Sequence, residues 1–247
     1  MQRSMHSVVV EMDPKSSSEA RDRRVEELEH CVRALAHDLR SPLVSLLGFA
    51  RLLRQEYGAQ LDETGLHFLD RIEQAGLTME SLVEELLDFS RIGRAGEQRF
   101  LVDPQEVLRQ LQAELKPRLE ASGTRLEIPE DAPLVFCDRT RLYQILSNLI
   151  RNALDHMGAC ARPVVQVSIQ ERDDAHHISV ADNGRGVLPA DRERIFELFQ
   201  QGTGCARRGS GMGLAIVRKI ASTYGGHVWV ESEPGAGCCF HVTLPRS

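Results

Sequence analysis

Two apolar periodicities divide the chain, and one kind of structure cannot carry both. Val25, Leu28, Val32, Leu35, Leu39, Leu43, Leu46, Ala50 and Leu53 recur at alternating intervals of three and four, the repeat of about 3.5 residues that buries a helix along one narrow seam. The run opens near Glu19 and predicts a helix of about ten turns. Gly58 breaks it, Asp62 is placed to cap a second helix, and Leu66, Leu69, Ile72, Met79, Val83 and Leu86 carry the pattern on to Arg91. Two such helices form an antiparallel hairpin. One hairpin cannot enclose stripes this long, so the expected assembly is a homodimer in which two hairpins close a four-helix bundle across a two-fold axis.

Beyond residue 92 the period becomes mixed. Residues 93–103, with Gly93 and Gly96, read as a linker, and a second domain is expected over 104–247. A helix over 104–121 contains Pro117, which is expected to kink or end it. Strands are predicted at Thr124–Ile128, Leu134–Cys137, Val164–Gln170, His177–Ala181, His227–Glu231 and Cys239–Leu244, with helices at Asp138–Met157, Pro189–Phe199 and Met212–Tyr224. The fold class is α plus α/β, a helical hairpin over 19–92 followed by a two-layer α/β sandwich. Residues 1–18 end in Pro14-Lys15-Ser16-Ser17-Ser18, lack periodicity and read as a flexible arm.

Composition narrows the function. Residues 1–92 hold 11 Lys+Arg against 17 Asp+Glu, and the remainder holds 19 of each. Basic residues come only in short groups such as Arg23-Arg24 and Arg207-Arg208, which argues against nucleic acid. Six cysteines without a Cys-x-x-Cys pair suit reduced thiols and a cytoplasmic setting. The most apolar stretch, Leu43–Leu53, is interrupted by Arg51 and falls far short of the ~20 residues that cross a bilayer, so no membrane span is expected.

His37 lies two residues past Leu35 and two before Leu39, rotated off the apolar seam and facing outward. Such a residue is most often plain solvated surface. Here Pro42 follows within the helix and deprives the Asp38 carbonyl of its helical partner, which marks a local bend. The stretch Ala36-His37-Asp38-Leu39-Arg40-Ser41-Pro42-Leu43 resembles the H-box of sensor histidine kinases. The resemblance implies that His37 accepts a phosphoryl group and that Asp38 is its base. A neutral imidazole is a competent nucleophile near neutral pH, and a neighbouring carboxylate can orient it and take its proton.

On the helix from Asp138, residues Asn148, Asn152 and Asp155 share one stripe while Leu142, Ile145, Leu146, Leu149 and Ala153 occupy the next. Amide oxygens are suitable hard ligands for Mg²⁺, although such a pair of Asn is more commonly mere solvated helix surface. Asp182-Asn183-Gly184-Arg185-Gly186 follows a strand, where a carboxylate can accept a base amine. Gly209-Ser210-Gly211-Met212-Gly213-Leu214 opens a helix whose free N–H groups suit phosphate.

In this order the segments Asn148–Asn152, Asp182–Gly186, Phe196–Phe199 and Gly209–Gly213 resemble the N, G1, F and G2 boxes of the GHKL ATP-binding fold. The resemblance implies ATP and Mg²⁺ as cofactors, with Asn152 the metal ligand, Asn148 its polar neighbour and Asp182 the adenine reader. Gly184, Gly186, Gly209, Gly211, Gly213 and Leu214 would supply close backbone contacts. Residues 200–208 read as an ATP lid whose Arg207 and Arg208 either meet the γ-phosphate or remain solvated surface.

Together the two resemblances imply a dimeric protein-histidine kinase that phosphorylates His37 and passes the group to an Asp of a response regulator receiver domain. Two alternatives keep the fold: a degenerate dimeric scaffold, or a GHKL ATPase without phosphotransfer. Three departures from the family pattern bear on the choice. Asp155 stands where a Lys is common, His156 where an aromatic is common, and Ser41 where the family's phosphatase activity uses Thr or Asn.

Overall fold

The computed structural model describes residues 36, 38–93, 98–158, 160–200, 202 and 210–246. The chain divides into two compact units, Met1–Glu73 and Gln74–Ser247. In the first, helix α1 (38–57) gives way to a single 3₁₀ turn, Gly58–Gln60, and α2 (Glu63–Arg91) begins and then runs on into the second unit. Asp62 caps α2 as its sequence position predicts, its Oδ1 accepting the Gly65 N–H at 2.7 Å. Arg54 of α1 reaches the start of α2, donating to Asp70 (2.6 Å) and Glu73 (3.1 Å), so the chain has turned back on itself. The expected apolar seam splits in two. Leu43 and Ala50, with Leu47, are buried, whereas Leu39, Leu46 and Leu53 are about half exposed at 51%, 47% and 48%. Those three lie seven residues apart, on one helix stripe that this chain leaves open.

The second unit is built on a five-stranded sheet. Its strands are β2 (Arg125–Glu127), β4 (Val164–Arg172), β5 (Ala175–Asp182), β7 (Gly237–Pro245) and β6 (Val228–Glu233), in that spatial order. The β2–β4 pair is parallel and the other neighbours are antiparallel. Strand alternation sends Val165, Val167, Ile169, Ile178, Val180, Val230, Phe240, Val242 and Leu244 into one buried cluster. Helices α3 (Pro104–Ser122), α4 (Arg139–His156) and α5 (Gly213–Thr223) contribute Leu108, Leu111, Leu142, Leu146, Leu149, Val217 and Ile220 to the same cluster, with α4 packed against both of the others. Helices α3 and α4 each start on a side-chain cap. Asp103 accepts the Gln105 N–H at 2.8 Å, and Asp138 accepts those of Thr140 and Arg141.

Three local expectations change. Pro117 does not end α3, which continues to Ser122 because Leu115 and Leu119 anchor it to the core on both sides of the proline; Gly123, left-handed at φ +63°, closes it. The helix expected over Pro189–Phe199 is instead two 3₁₀ turns, Pro189–Asp191 and Arg194–Phe196. Glu197 is extended and Phe199 has φ +61°, so the chain leaves the helical region once Ile195 and Phe196 have entered the core. A short strand not anticipated from the sequence, β1 (Phe100–Val102), pairs antiparallel with β3 (Val135–Cys137) inside the segment read as a linker.

The inner strands β5 and β7 carry three histidines largely withdrawn from water. His176 accepts the Phe136 N–H at 3.3 Å, while His177 and His241 lie edge to edge (Nε2···Nδ1 3.2 Å) with Trp229 stacked on both rings. Burial holds all three below the usual imidazole value of 6.5. For His176, Glu171 raises the value and Arg246 lowers it; for the stacked pair, Arg172 lowers it and Glu231 raises it. The unfolded chain therefore takes up protons first as the pH falls. The stabilising contribution is complete above about pH 6.5 and declines as the pH drops through the range below it. Denaturant midpoints measured between pH 8 and 5 are expected to fall on acidification, with a shallower slope in His176→Gln. Leu146, fully buried under the sheet, should cost about 2–5 kcal/mol when cut to Ala, against less than about 0.5 kcal/mol for the exposed Leu101→Ala, both read from the same unfolding curves.

Candidate nucleotide site

The apolar stripe of α4 must face the sheet, and this turns its neighbouring polar stripe onto a cavity of about 460 Å³, a size that suits a small organic ligand. Asn148, Arg151, Asn152, Asp155 and His156 line one wall; Ser210, Gly211, Gly213 and Leu214, at the start of α5, line another. Asn148 spends its Nδ2 on the Gln144 carbonyl, one turn back at 2.8 Å, which leaves its Oδ1 aimed at α5. A side chain opposite would oblige Asn148 to move. A Cβ on Gly213 would sit 2.8 Å from that oxygen. The α5 N-terminus has no side-chain cap of the helix itself, so its N–H groups and positive dipole end face the cavity. Ser210 organises the entry: its Oγ accepts the Met212 N–H at 3.1 Å and donates to Glu85 of α2.

Asp182 closes the far end, where β5 stops. Its Oδ1 accepts the Gly184 N–H and its Oδ2 the Cys238 S–H, both at 2.9 Å. Burial, reinforced by the adjacent carboxylate, pushes the Cys238 thiol well above its usual range, so it stays protonated and able to donate. Gly186 has φ +73°, and a Cβ there would lie 2.3 Å from the Glu233 carbonyl, so the chain passes β6 at a distance no side chain allows. Gly184 is buried behind Asp182 and is not among the lining residues.

The cavity thus gathers Asn148, Asn152, Asp155, His156, Asp182, Gly186, Gly211, Gly213 and Leu214. Asp155 is ion-paired with Arg118 of α3, and the His156 Nδ1 meets Arg185 Nη2 at 2.6 Å. Asp38 is exposed on α1. His37, Arg207, Arg208 and Gly209 lie outside the described residues.

Sequence reading missed Arg118, Glu85 and Cys238. Cys238 stands directly across from Asp182 in the β5–β7 register, which alternation alone does not reveal. Arg118 follows a proline in an unremarkable charged stretch, and no local signal sets it apart. Phe196, expected in packing, meets Phe240 edge-on at 6.1 Å, and Phe240 lines the cavity floor.

Comparison with known proteins places these features in a family. The model of the histidine kinase-, DNA gyrase B-, and HSP90-like ATPase matches residues 137–247, and that of the His Kinase A (phospho-acceptor) domain matches residues 27–95. The chain is 38% identical over 224 residues to the methanogenesis regulatory histidine kinase FilI of Methanothrix harundinacea, covering 89% of this chain and 25% of that protein. It is 35% identical to the phytochrome-like protein Cph1 of Synechocystis, covering 85% and 28%. It is 33% identical to the adaptive-response sensory kinase SasA of Parasynechococcus marenigrum, covering 90% and 58%. The chain therefore spans about a quarter of the first two and somewhat over half of the third. Among solved structures, full-length ShkA in complex with AMPPNP superposes with a TM-score of 0.70 at 32% identity, over 87% of this chain and 45% of that one. The histidine kinase ThkA, solved in complex with the response regulator TrrA, shares the fold at a TM-score of 0.62 and 21% identity, covering 98% and 68%. Among the described residues no helix is long and apolar enough to cross a membrane. With a phospho-acceptor domain ahead of a GHKL-fold ATPase domain, the chain belongs to the sensor histidine kinases and comprises their transmitter region.

Proposed function

We propose that the chain is an ATP-dependent protein-histidine kinase that phosphorylates its own His37 and then passes the phosphoryl group to an Asp of a response regulator receiver domain. The observation that carries this reading is the cavity itself. Amides on α4 face a glycine-lined helix N-terminus on one side, and a doubly bonded carboxylate, Asp182, closes the other end. Asp182 holds its two oxygens in fixed directions and so accepts the exocyclic amine of adenine. The N–H groups of Gly211, Gly213 and Leu214 receive phosphate oxygens, aided by the dipole of α5.

Asn152 fits a hard cation, since it lines the cavity beside Asn148 and carries an amide oxygen, and Mg²⁺ is usually held by few protein ligands together with phosphate oxygens. Bound there, Mg²⁺ would neutralise charge that builds on the phosphates. In the transfer, an imidazole nitrogen of His37 forms the N–P bond as the bond from the γ-phosphorus to the ADP oxygen breaks. Asp38 takes the proton that leaves the ring. Arg207 and Arg208 meet the γ-phosphate from the lid. Catalysis is then mainly positioning and charge neutralisation.

The hairpin over 19–92 serves as dimerisation and phosphotransfer domain, 93–103 as linker and 104–247 as catalytic domain. A second copy covers the open stripe of Leu39, Leu46 and Leu53, closing a four-helix bundle whose surface around His37 receives the regulator. The free thiols of Cys137, Cys160, Cys238 and Cys239 suit the cytoplasm, where ATP is also available.

Incubation with γ-labelled ATP and Mg²⁺ tests the reading: acid-labile, alkali-stable label is expected on the chain and absent from His37→Gln. No label under any Mg²⁺ condition would favour a scaffold, and sustained hydrolysis that survives loss of His37 would favour a plain ATPase. Gly213→Ala, which drives a methyl toward Asn148 Oδ1, is expected to weaken ATP binding by about tenfold or more in equilibrium titration, with little change in melting temperature.

A further inference from the structure

The cavity holds one ion pair that the proposed reaction leaves unused. Arg118, on α3 directly after Pro117, reaches across to α4, where its Nη2 donates to Asp155 Oδ1; both side chains line the cavity. A carboxylate is an awkward neighbour for a nucleotide. Asp155 shares the polar stripe of α4 with Asn148 and Asn152, and phosphates laid between that stripe and the α5 glycines meet it as a like charge. Glu85, Asp182 and Asp191 bring three more carboxylates to the wall.

Among the described residues, the cations lining the cavity are Arg118, Arg151 and Arg185. Arg185 is engaged by the His156 ring at 2.6 Å, and the Arg151 Nε turns back along its own helix to Ser147 Oγ at 3.1 Å. Arg118 differs in two ways: it arrives from a separate helix, and the group that holds it is itself an anion in the path of the ligand. The side chains of the pair are 40% and 30% exposed, so water already competes for the contact and it exchanges readily. A guanidinium has five N–H donors in a planar fork that matches phosphate as well as carboxylate.

We propose that Arg118 is the cation that receives the polyphosphate of the nucleotide, with Asp155 as its positioning residue. The carboxylate holds the guanidinium at the cavity wall, and the phosphates engage the fork when the nucleotide enters. A carboxylate is thereby tolerated in a phosphate site, because it enters the site already neutralised. The inference rests on the nucleotide-binding reading above and adds a residue that the reading did not contain.

Calorimetric titration of the full chain with ATP and with adenosine, in Mg²⁺ buffer and with thermal melting as a control of folding, tests it. Arg118→Ala should lose about tenfold or more in ATP affinity while adenosine binding stays within about twofold. In the Asp155→Asn background Arg118→Ala should cost at least about threefold less in ATP affinity than it does in the wild type, because the guanidinium is no longer held at the wall; equal costs in both backgrounds overturn the positioning role of Asp155. The double variant Arg118→Ala/Asp155→Lys, which returns a cation to the same place from α4, should recover most of the lost ATP affinity. Unchanged ATP binding in Arg118→Ala, an equal loss for ATP and adenosine, or no recovery in the double variant overturns the role of Arg118. A wild-type chain that binds neither ligand overturns the nucleotide reading as well, whereas a wild type that binds ATP no better than Arg118→Ala overturns this inference alone.

Discussion

Helix α4 has an apolar stripe that must leave water, and much else in the nucleotide domain is arranged around that fact. Leu142, Ile145, Leu146, Leu149 and Ile150 are fully buried against the sheet and the two flanking helices. Each such burial stabilises the fold by roughly 1.5–3 kcal/mol, far more than any single polar contact in the site. The rotation of the helix about its axis is therefore set by packing. Once it is set, Asn148, Asn152 and Asp155 have no freedom over where they face: they line the cavity because the core has claimed the adjacent stripe.

The two ends of the cavity are built in different currencies of structure. At the α5 end the groups facing the ligand are backbone N–H groups, and glycines are needed there because a side chain at 213 would strike Asn148. At the Asp182 end the polar group on the wall is a side chain, steadied by one backbone donor and one thiol. A carboxylate bonded on both oxygens is already fixed in direction and loses little further freedom on engaging another group. The contact of Ser210 with Glu85 links the α5 entry to the last turns of α2, and Lys219, donating to the Phe89 carbonyl at 2.8 Å while lying over the Phe89 ring, repeats that link one turn further on.

Most of the fold was legible because its elements are long or strongly patterned. The 3.6-residue stripe of α4, the alternation of β4, β5 and β7, and the Asp62 cap each carry a local physical cause, and each is found where that cause puts it. Failures occurred where tertiary contacts overrode a local preference. Pro117 is carried inside a helix by core anchors on either side, and the segment Pro189–Phe199 folds as 3₁₀ turns because Ile195 and Phe196 are buried from a chain that then turns through Phe199. The short β1 had too few residues to show a period.

For the site the division is sharper. The linear order of residues settles which groups are available and in what local geometry: two amides one helical turn apart, a carboxylate at a strand end, glycines at a helix start. Those follow from backbone periodicity, which acts over a few residues. Only the folded chain decides that Cys238 lies across from Asp182 and that Arg118 meets Asp155, because strand register and helix adjacency are fixed by burying distant apolar surfaces together, and no short stretch of sequence records its future neighbour.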